Sequence, residues 1–123
     1  MQTVLIDTDV AIDYLRGRTQ AIELIAPLWA DNRAYFSILS VYELYAGMRD
    51  KERKDTENFI DACIIEPVTM EVARTAGELY RKHRAAGLTL TSIDCLIAAT
   101  AAIGGHEVAT RNKDHYPETL FYG

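Results

Sequence analysis

The chain has 123 residues, 49% of them apolar and 25% charged, and Asp plus Glu outnumber Lys plus Arg by 18 to 13, for a formal net charge of −5. That length suits one compact domain spanning residues 1–123 with a single core, and excludes two. The acidic balance excludes a protein that grips nucleic acid over its whole surface, because phosphate contacts need Lys and Arg, and no stretch approaches the roughly twenty apolar residues of a membrane span.

In chain order, apolar runs alternate with helical periodicity, and no repeat, low-complexity tract or linker interrupts this βα pattern. Residues 4–6 read as a buried strand. Val10, Ala11, Tyr14 and Leu15 then recur at helical spacing, and Gly17 is placed to end that helix. Ala21, Ile22, Ile25 and Leu28 continue on a second helix, which Pro27 must kink or end, since an interior proline removes a backbone donor. A second strand is predicted at residues 35–38. Val41, Leu44, Tyr45 and Met48 form the stripe of a short helix, and the charged segment 49–55 turns into another helix through Ile60. Residues 62–66 look like a third strand. After Pro67, the stripe Val72, Ala73, Ala76, Leu79, Tyr80 and His83 defines the longest helix, with Gly87 placed to cap it. The helix over 92–103 is apolar on every face, which predicts a central, buried position. Residues 108–110 and 120–122 would be short closing strands.

The N-terminal residues Met1-Gln2-Thr3-Val4 lack the basic start and apolar run of a signal peptide, so a cytoplasmic location is expected. Cys63 and Cys95 have no second pair or histidine at ligand spacing, which points to reduced, buried thiols and against zinc. Basic residues gather at Arg49, Lys51, Arg53 and Lys54, at Arg81, Lys82 and Arg84, and at Arg111 and Lys113. Each cluster either tracks a phosphate backbone or is the solvated face of a helix.

Three acids, Asp7, Glu43 and Asp94, each stand where a short apolar stretch gives way to a helical pattern. Each has a structural reading: Ser40-x-x-Glu43 fits a capping box, Thr91-x-x-Asp94 approximates one, and Asp7 fits a helix N-cap. Capping does not explain why all three would fall on one side of the sheet, where crevices form at the carboxyl ends of parallel strands. Carboxylates packed together repel one another unless a divalent cation neutralises them or some take up protons. Mg²⁺ prefers such hard oxygen ligands.

Four strings carry a resemblance. Leu5-Ile6-Asp7-Thr8-Asp9-Val10 with Asp13-Tyr14-Leu15-Arg16-Gly17 comes first, then Ser40-Val41-Tyr42-Glu43-Leu44-Tyr45-Ala46-Gly47. Asp94-Cys95-Leu96-Ile97-Ala98-Ala99-Thr100-Ala101 is the third, and Thr110-Arg111-Asn112 with His115-Tyr116-Pro117 the fourth. In order and spacing the chain resembles the PIN-domain ribonucleases, and among them the VapC-type toxins of VapBC toxin–antitoxin pairs. The resemblance implies a three-layer α/β/α sandwich around a mainly parallel sheet of four to five short strands. It also implies Mg²⁺- or Mn²⁺-dependent endonucleolytic cleavage of RNA.

The family's roles fall on Asp7 and Asp94 as metal ligands and on Glu43 as ligand or water-orienting base. Many PIN domains have an aspartate directly after the Thr-Arg pair, where this chain has Asn112; Asp114 lies two residues later and is the other candidate for the fourth acidic position. Asn112 contributes no charge and cannot act as a base. Thr8, Thr110 and Asn112 are candidates to support the carboxylates. His83 and His106 read as core or surface residues, and His115 lies near the expected site. Tyr14, Tyr42 and Tyr45 stack on bases or serve the core or a dimer interface. Implied partners are an RNA substrate, a small antitoxin whose C-terminal segment fills the active-site groove, and a second copy of the chain; no membrane is implied. Two alternatives stand beside this reading. One is a PIN-like binding module weakened by Asn112. The other, a haloacid-dehalogenase-type phosphatase suggested by Asp7-Thr8-Asp9, lacks the expected residue at Ala11 and enough chain for its later motifs.

Overall fold

The computed structural model describes residues 1–116 and 119–123; Pro117, quoted in the fourth string, lies outside the described residues. Four short strands, β1 (Val4–Ile6), β2 (Ala34–Ser37), β3 (Ile64–Glu66) and β4 (Glu107–Ala109), form one sheet in the order β3-β2-β1-β4 with every pairing parallel. Parallel neighbours need crossover connections. Helices supply them: α1 (Thr8–Leu15), α2 (Thr19–Ala30), α3 (Ile38–Gly47), α4 (Arg53–Ala62), α5 (Met70–Ala85) and α6 (Ser92–Gly104).

The side-chain period of two along the strands divides the core. Val4, Ile6, Ala34 and Phe36 face one way, onto Val10 and Ala11 of α1, Ile25 and Leu28 of α2, Leu44 of α3 and Phe59 of α4. Leu5 and Val108 face the other way, onto Ile97, Ala98 and Ala101 of α6 and the ring of Tyr116. Behind α6 lies α5, joined to it through Val72, Ala76, Cys95 and Ala99. Both faces are therefore covered, which is why the strands read as unbroken apolar runs. The result is the expected three-layer α/β/α arrangement, with α6 buried along most of its length.

Several boundaries differ from the sequence reading. Ile38 opens α3 instead of ending β2, because Ser37 turns the chain and its hydroxyl accepts the Leu39 amide at 3.1 Å. Ser40 is therefore not a cap: it lies inside the helix, buried, and the predicted Ser40–Glu43 capping box does not form. Ala62 closes α4, leaving β3 at Ile64–Glu66, and Thr110 lies beyond the end of β4. Residues 120–122 make only one isolated bridge, Phe121 to Val108, so the sheet has four strands and not five. Pro27 sits within α2, which runs on to Ala30 without ending there. The segment after Arg49 first makes a short 3-10 turn (Asp50–Glu52), held by the Glu52 carboxylate accepting the Arg49 amide at 2.7 Å, before α4 begins. The longest helix, α5, starts at Met70 and is closed by Gly87 at φ +85°, a left-handed conformation that a Cβ disfavours. Among the described residues no helix is long and apolar enough to cross a membrane.

His83 and His106 take the structural positions expected of them. His106 is buried, with Nδ1 2.6 Å from the Thr3 hydroxyl, Nε2 3.0 Å from Glu66 Oε1, and its ring 4.4 Å from that of Tyr35. Both cysteines are free, and burial pushes the Cys63 thiol up to about 11.

Phe59 anchors the layer over the sheet, its ring 5.5 Å from Tyr14, 5.5 Å from Trp29 and 5.4 Å from Phe36. Phe59→Ala is expected to lower unfolding free energy by about 3–5 kcal/mol, measured by urea denaturation. Because the thiolate is the nucleophile, labelling of native Cys63 by a disulfide reagent, isolated in a Cys95→Ala background, is expected to be slow at neutral pH. Its rate should climb about tenfold per pH unit through the approach to the thiol's raised value, and a rate that levels off near pH 9 would contradict this.

Candidate active site

The site is built where β1 and β2 end. Asp7 follows the last residue of β1 and is the N-cap of α1, with φ −72° and ψ 155°. Its amide donates to the Ala109 carbonyl at 2.8 Å, which extends the β1–β4 pairing by one residue and fixes Asp7 at the sheet edge. Oδ1 accepts the Thr8 amide at 2.8 Å. Oδ2 accepts the Thr110 hydroxyl at 2.8 Å and the Tyr116 hydroxyl at 2.9 Å. Three donors thus hold a carboxylate that is only 9% exposed.

Glu43 arrives from β2. The turn at Ser37 starts α3, and Glu43 in the second turn accepts the Thr8 hydroxyl on Oε1 at 2.6 Å. Asp94 arrives on α6, whose N-cap Thr91 accepts the Asp94 amide at 3.0 Å. Its Oδ1 lies 3.3 Å from the Tyr116 hydroxyl and its Oδ2 3.3 Å from His115 Nδ1. Thr8 therefore ties Glu43 to the residue beside Asp7, and Tyr116 touches both Asp7 and Asp94. Among the described residues no three His, Cys, Asp or Glu side chains are placed closely enough to grip one ion together.

The segment after β4 supplies the remaining contacts. Thr110 donates its hydroxyl to Asp7 Oδ2. The Asn112 side chain engages Asp9: its Nδ2 donates to Asp9 Oδ2 at 2.9 Å, where the Arg111 amide also donates at 3.0 Å. Asp114 is exposed on a 3-10 turn (Lys113–His115) and makes no hydrogen bond or ion pair with the site's side chains among the described residues. Asp9 is the acid that the fourth string engages.

The electrostatics are those of an anionic pocket short of cations. Burial, then the charge of Asp7, raise the Asp9 carboxyl above the usual carboxylate range, against the bonds from the Arg111 and Val10 amides and the Arg111 charge. Burial, then the charge of Asp7 and the bond to it, push the Tyr116 phenol far above its ordinary value, with Asp94 and Asp9 adding to the effect. The Arg111 guanidinium relieves the cluster only in part, since it pairs with Asp13, 3.2 Å from both oxygens. Among the described residues, Asp7 and Glu43 have no ion-pair partner and Asp94 has only His115. Hard oxygen donors with uncompensated charge are the chemistry that Mg²⁺ or Mn²⁺ favours, so the residues present fit such an ion.

Asp9 and Tyr116 are the site residues that sequence reasoning did not assign. Asp9 was visible only as part of the Asp7-Thr8-Asp9 string. Tyr116 reaches its partners across 109 and 22 residues of chain, which no local pattern signals.

Comparison with known proteins places this geometry. Residues 4–118 match the PIN domain family model. The chain is 38% identical over 114 residues to ribonuclease VapC19 of Mycobacterium tuberculosis, covering 92% of this chain and 91% of that one. It is 34% identical over 114 residues to ribonuclease VapC10 of the same organism, covering 93% and 86%. Among solved structures it is similar to DNA-bound VapBC from Salmonella typhimurium, with a TM-score of 0.86 at 19% identity over 98% of this chain and 97% of that one. VapBC2 from Rickettsia felis bound to a promoter fragment gives 0.84 at 16% identity over 98% and 97%.

Thr8 is 8% exposed, so removing its hydroxyl leaves a Glu43 oxygen facing a methyl group. Thr8→Val is expected to cost about 1–3 kcal/mol of stability and Thr8→Ser to retain most of it, as read by urea denaturation in EDTA.

Proposed function

Because the chain belongs to the PIN-domain family, and within it to the VapC-type branch, we propose that it is a metal-dependent endoribonuclease and the toxin of a type II toxin–antitoxin pair. The observation that carries the reading is the convergence of Asp7, Glu43 and Asp94, from three separate elements, onto one network through Thr8 and Tyr116. Supporting it, the relatives at 38% and 34% identity are named ribonucleases.

In this reading Asp7 and Asp94 hold a Mg²⁺ or Mn²⁺ ion. A bound divalent cation polarises the scissile phosphate and lowers the pKa of a water that attacks in line. Glu43, steadied by Thr8, orients that water and accepts its proton. Thr110 keeps Asp7 in position, and Asn112, through Asp9, keeps the segment after β4 against α1. No covalent intermediate on the protein is needed, and Asp114 has no part. Asp7, Asp9, Glu43 and Asp94 make the site acidic, which suits an antitoxin arm that brings an arginine against the carboxylates through charge-assisted hydrogen bonds. Solved structures similar to this chain are themselves VapBC complexes, which supports an antitoxin partner, and a homodimer is part of the same proposal.

The second reading, a binding module without catalysis, draws on Asn112, which supplies no carboxylate and is engaged with Asp9. The phosphatase alternative loses its ground, since the match runs over residues 4–118 and not only the first string.

Incubation with structured RNA decides between the first two. Wild-type protein with Mg²⁺ or Mn²⁺ is expected to cleave, EDTA to stop it, and Asp7→Asn, Asp94→Asn and Glu43→Gln each to slow it on the order of 100-fold or more, beyond what loss of an outer-shell partner costs. Mn²⁺ should also raise the melting temperature, a ligand at a hundred times its Kd adding about 2.7 kcal/mol. Metal binding without cleavage of any RNA tested would favour the binding module.

A further inference from the structure

We propose that Tyr116 is a positioning residue for the cation: its hydroxyl, seated between Asp7 and Asp94, sets how these two carboxylates present their oxygens to a divalent ion. This rests on the reading of Asp7 and Asp94 as metal carboxylates.

The ring is fixed before the hydroxyl is considered. Tyr116 is 1% exposed and packs with Leu5, Ile97, Ala98, Ala101 and Val108 in the core between the sheet and α6. A side chain held on that scale leaves its hydroxyl one place to be, which is where Asp7 Oδ2 lies at 2.9 Å and Asp94 Oδ1 at 3.3 Å. A phenol has one proton and two carboxylates face it. That proton is shared between the shorter contact to Asp7 and the longer one to Asp94, so Asp94 receives the weaker part of a forked bond. Asp7 Oδ2 also accepts from Thr110, and Asp7 Oδ1 from the Thr8 amide, so Asp7 is held by three donors and keeps one of its roughly four acceptor positions open, while Asp94 has fewer donors.

This is a one-sided arrangement with a consequence for metal binding. The hydroxyl fixes the direction of Asp7 and holds Asp94 at a set separation from it, and Asp94 turns its other oxygen, Oδ2, toward His115 and the outside. A cation at this edge relieves the shortage at Asp94 without disturbing the donors on Asp7. Outer partners of this kind hold ligands in register, and losing one typically weakens metal binding by 10–100-fold.

The test is calorimetric titration with MnCl₂, alongside melting in EDTA, on wild type, Tyr116→Phe and a control, Tyr80→Phe on α5. The phenylalanine keeps the ring and removes only the hydroxyl. The expected result is Mn²⁺ binding to wild type and the control with equal affinity, and binding to Tyr116→Phe weakened by about 10–100-fold while the variant still melts cooperatively in EDTA. If wild type binds Mn²⁺ and Tyr116→Phe binds it within about twofold or more tightly, Tyr116 is only a core residue and the inference is overturned while the proposed function stands; a lower melting temperature with unchanged affinity has the same meaning. If wild type binds no Mn²⁺ or Mg²⁺, the metal-dependent reading itself falls and the inference with it.

Discussion

The constraint on which the site depends is the burial of Asp7 among like charges. A carboxylate so enclosed is unfavourable unless hydrogen-bond donors or cations replace the lost water. Here donors come from three directions: the amide of Thr8, the hydroxyl of Thr110 and the hydroxyl of Tyr116. The topology makes this convergence possible. The sheet order β3-β2-β1-β4 reverses at β1, so the chain runs outward from β1 to one side while β4 returns on the other. Crevices open at the carboxyl ends of strands where the order reverses. Asp7 and Thr110 end the two strands that flank that point.

Capping and chemistry are not exclusive here, because a carboxylate has two oxygens. Asp7 gives Oδ1 to the first amide of α1, as an N-cap does, and turns Oδ2 toward Thr110 and Tyr116. Thr91 caps α6 with its own hydroxyl, which frees the Asp94 side chain to face Tyr116 and His115. Ser37 does the same for α3, leaving Glu43 to meet Thr8. The hydroxyl caps satisfy the helix ends so that two of the three acids need not.

What could be read from the chain follows from what is local. Helices α1, α5 and α6 and the buried strand β1 carry long or strongly periodic apolar patterns, and Asp7 and Asp94 stand at helix starts that those patterns mark, whereas Glu43 lies in the second turn of α3. The ends of β2 and β3 could not be placed, since strands of three or four residues buried on both faces differ little from the first turn of the next helix or the last of the one before. Residues 120–122 have the composition of a strand, but tertiary placement brings only Phe121 to Val108. The partners of the acids were less legible still. Asn112 reads as a weakened fourth acid when only its own string is considered. Its contact with Asp9 shows that negative charge stands on the other side of that gap, on the first turn of α1.

The same electrostatics bear on how a phosphate chain would approach an acidic protein. Four arginines of the basic clusters that the sequence offers as a backbone track are paired with acids: Arg49 faces Glu52, Arg53 faces Asp50, Arg81 faces Glu78, and Arg111 faces Asp13. The first three are exposed ion pairs, and such pairs contribute little to stability, so a phosphate can displace the acid at small cost. Arg111 differs, because its partner Asp13 is mostly buried and its own amide is tied to Asp9, beside the site. Arg111 thus braces the segment that carries Thr110. Among the described residues no cation pairs with Asp7 or Glu43, so in the proposed reading the negative charge at the strand ends would repel RNA until a cation is bound. In the proposed reading the carboxylates at the strand ends would hold a divalent ion that, when bound, would make a water more acidic and reverse the local sign of the field that substrate meets.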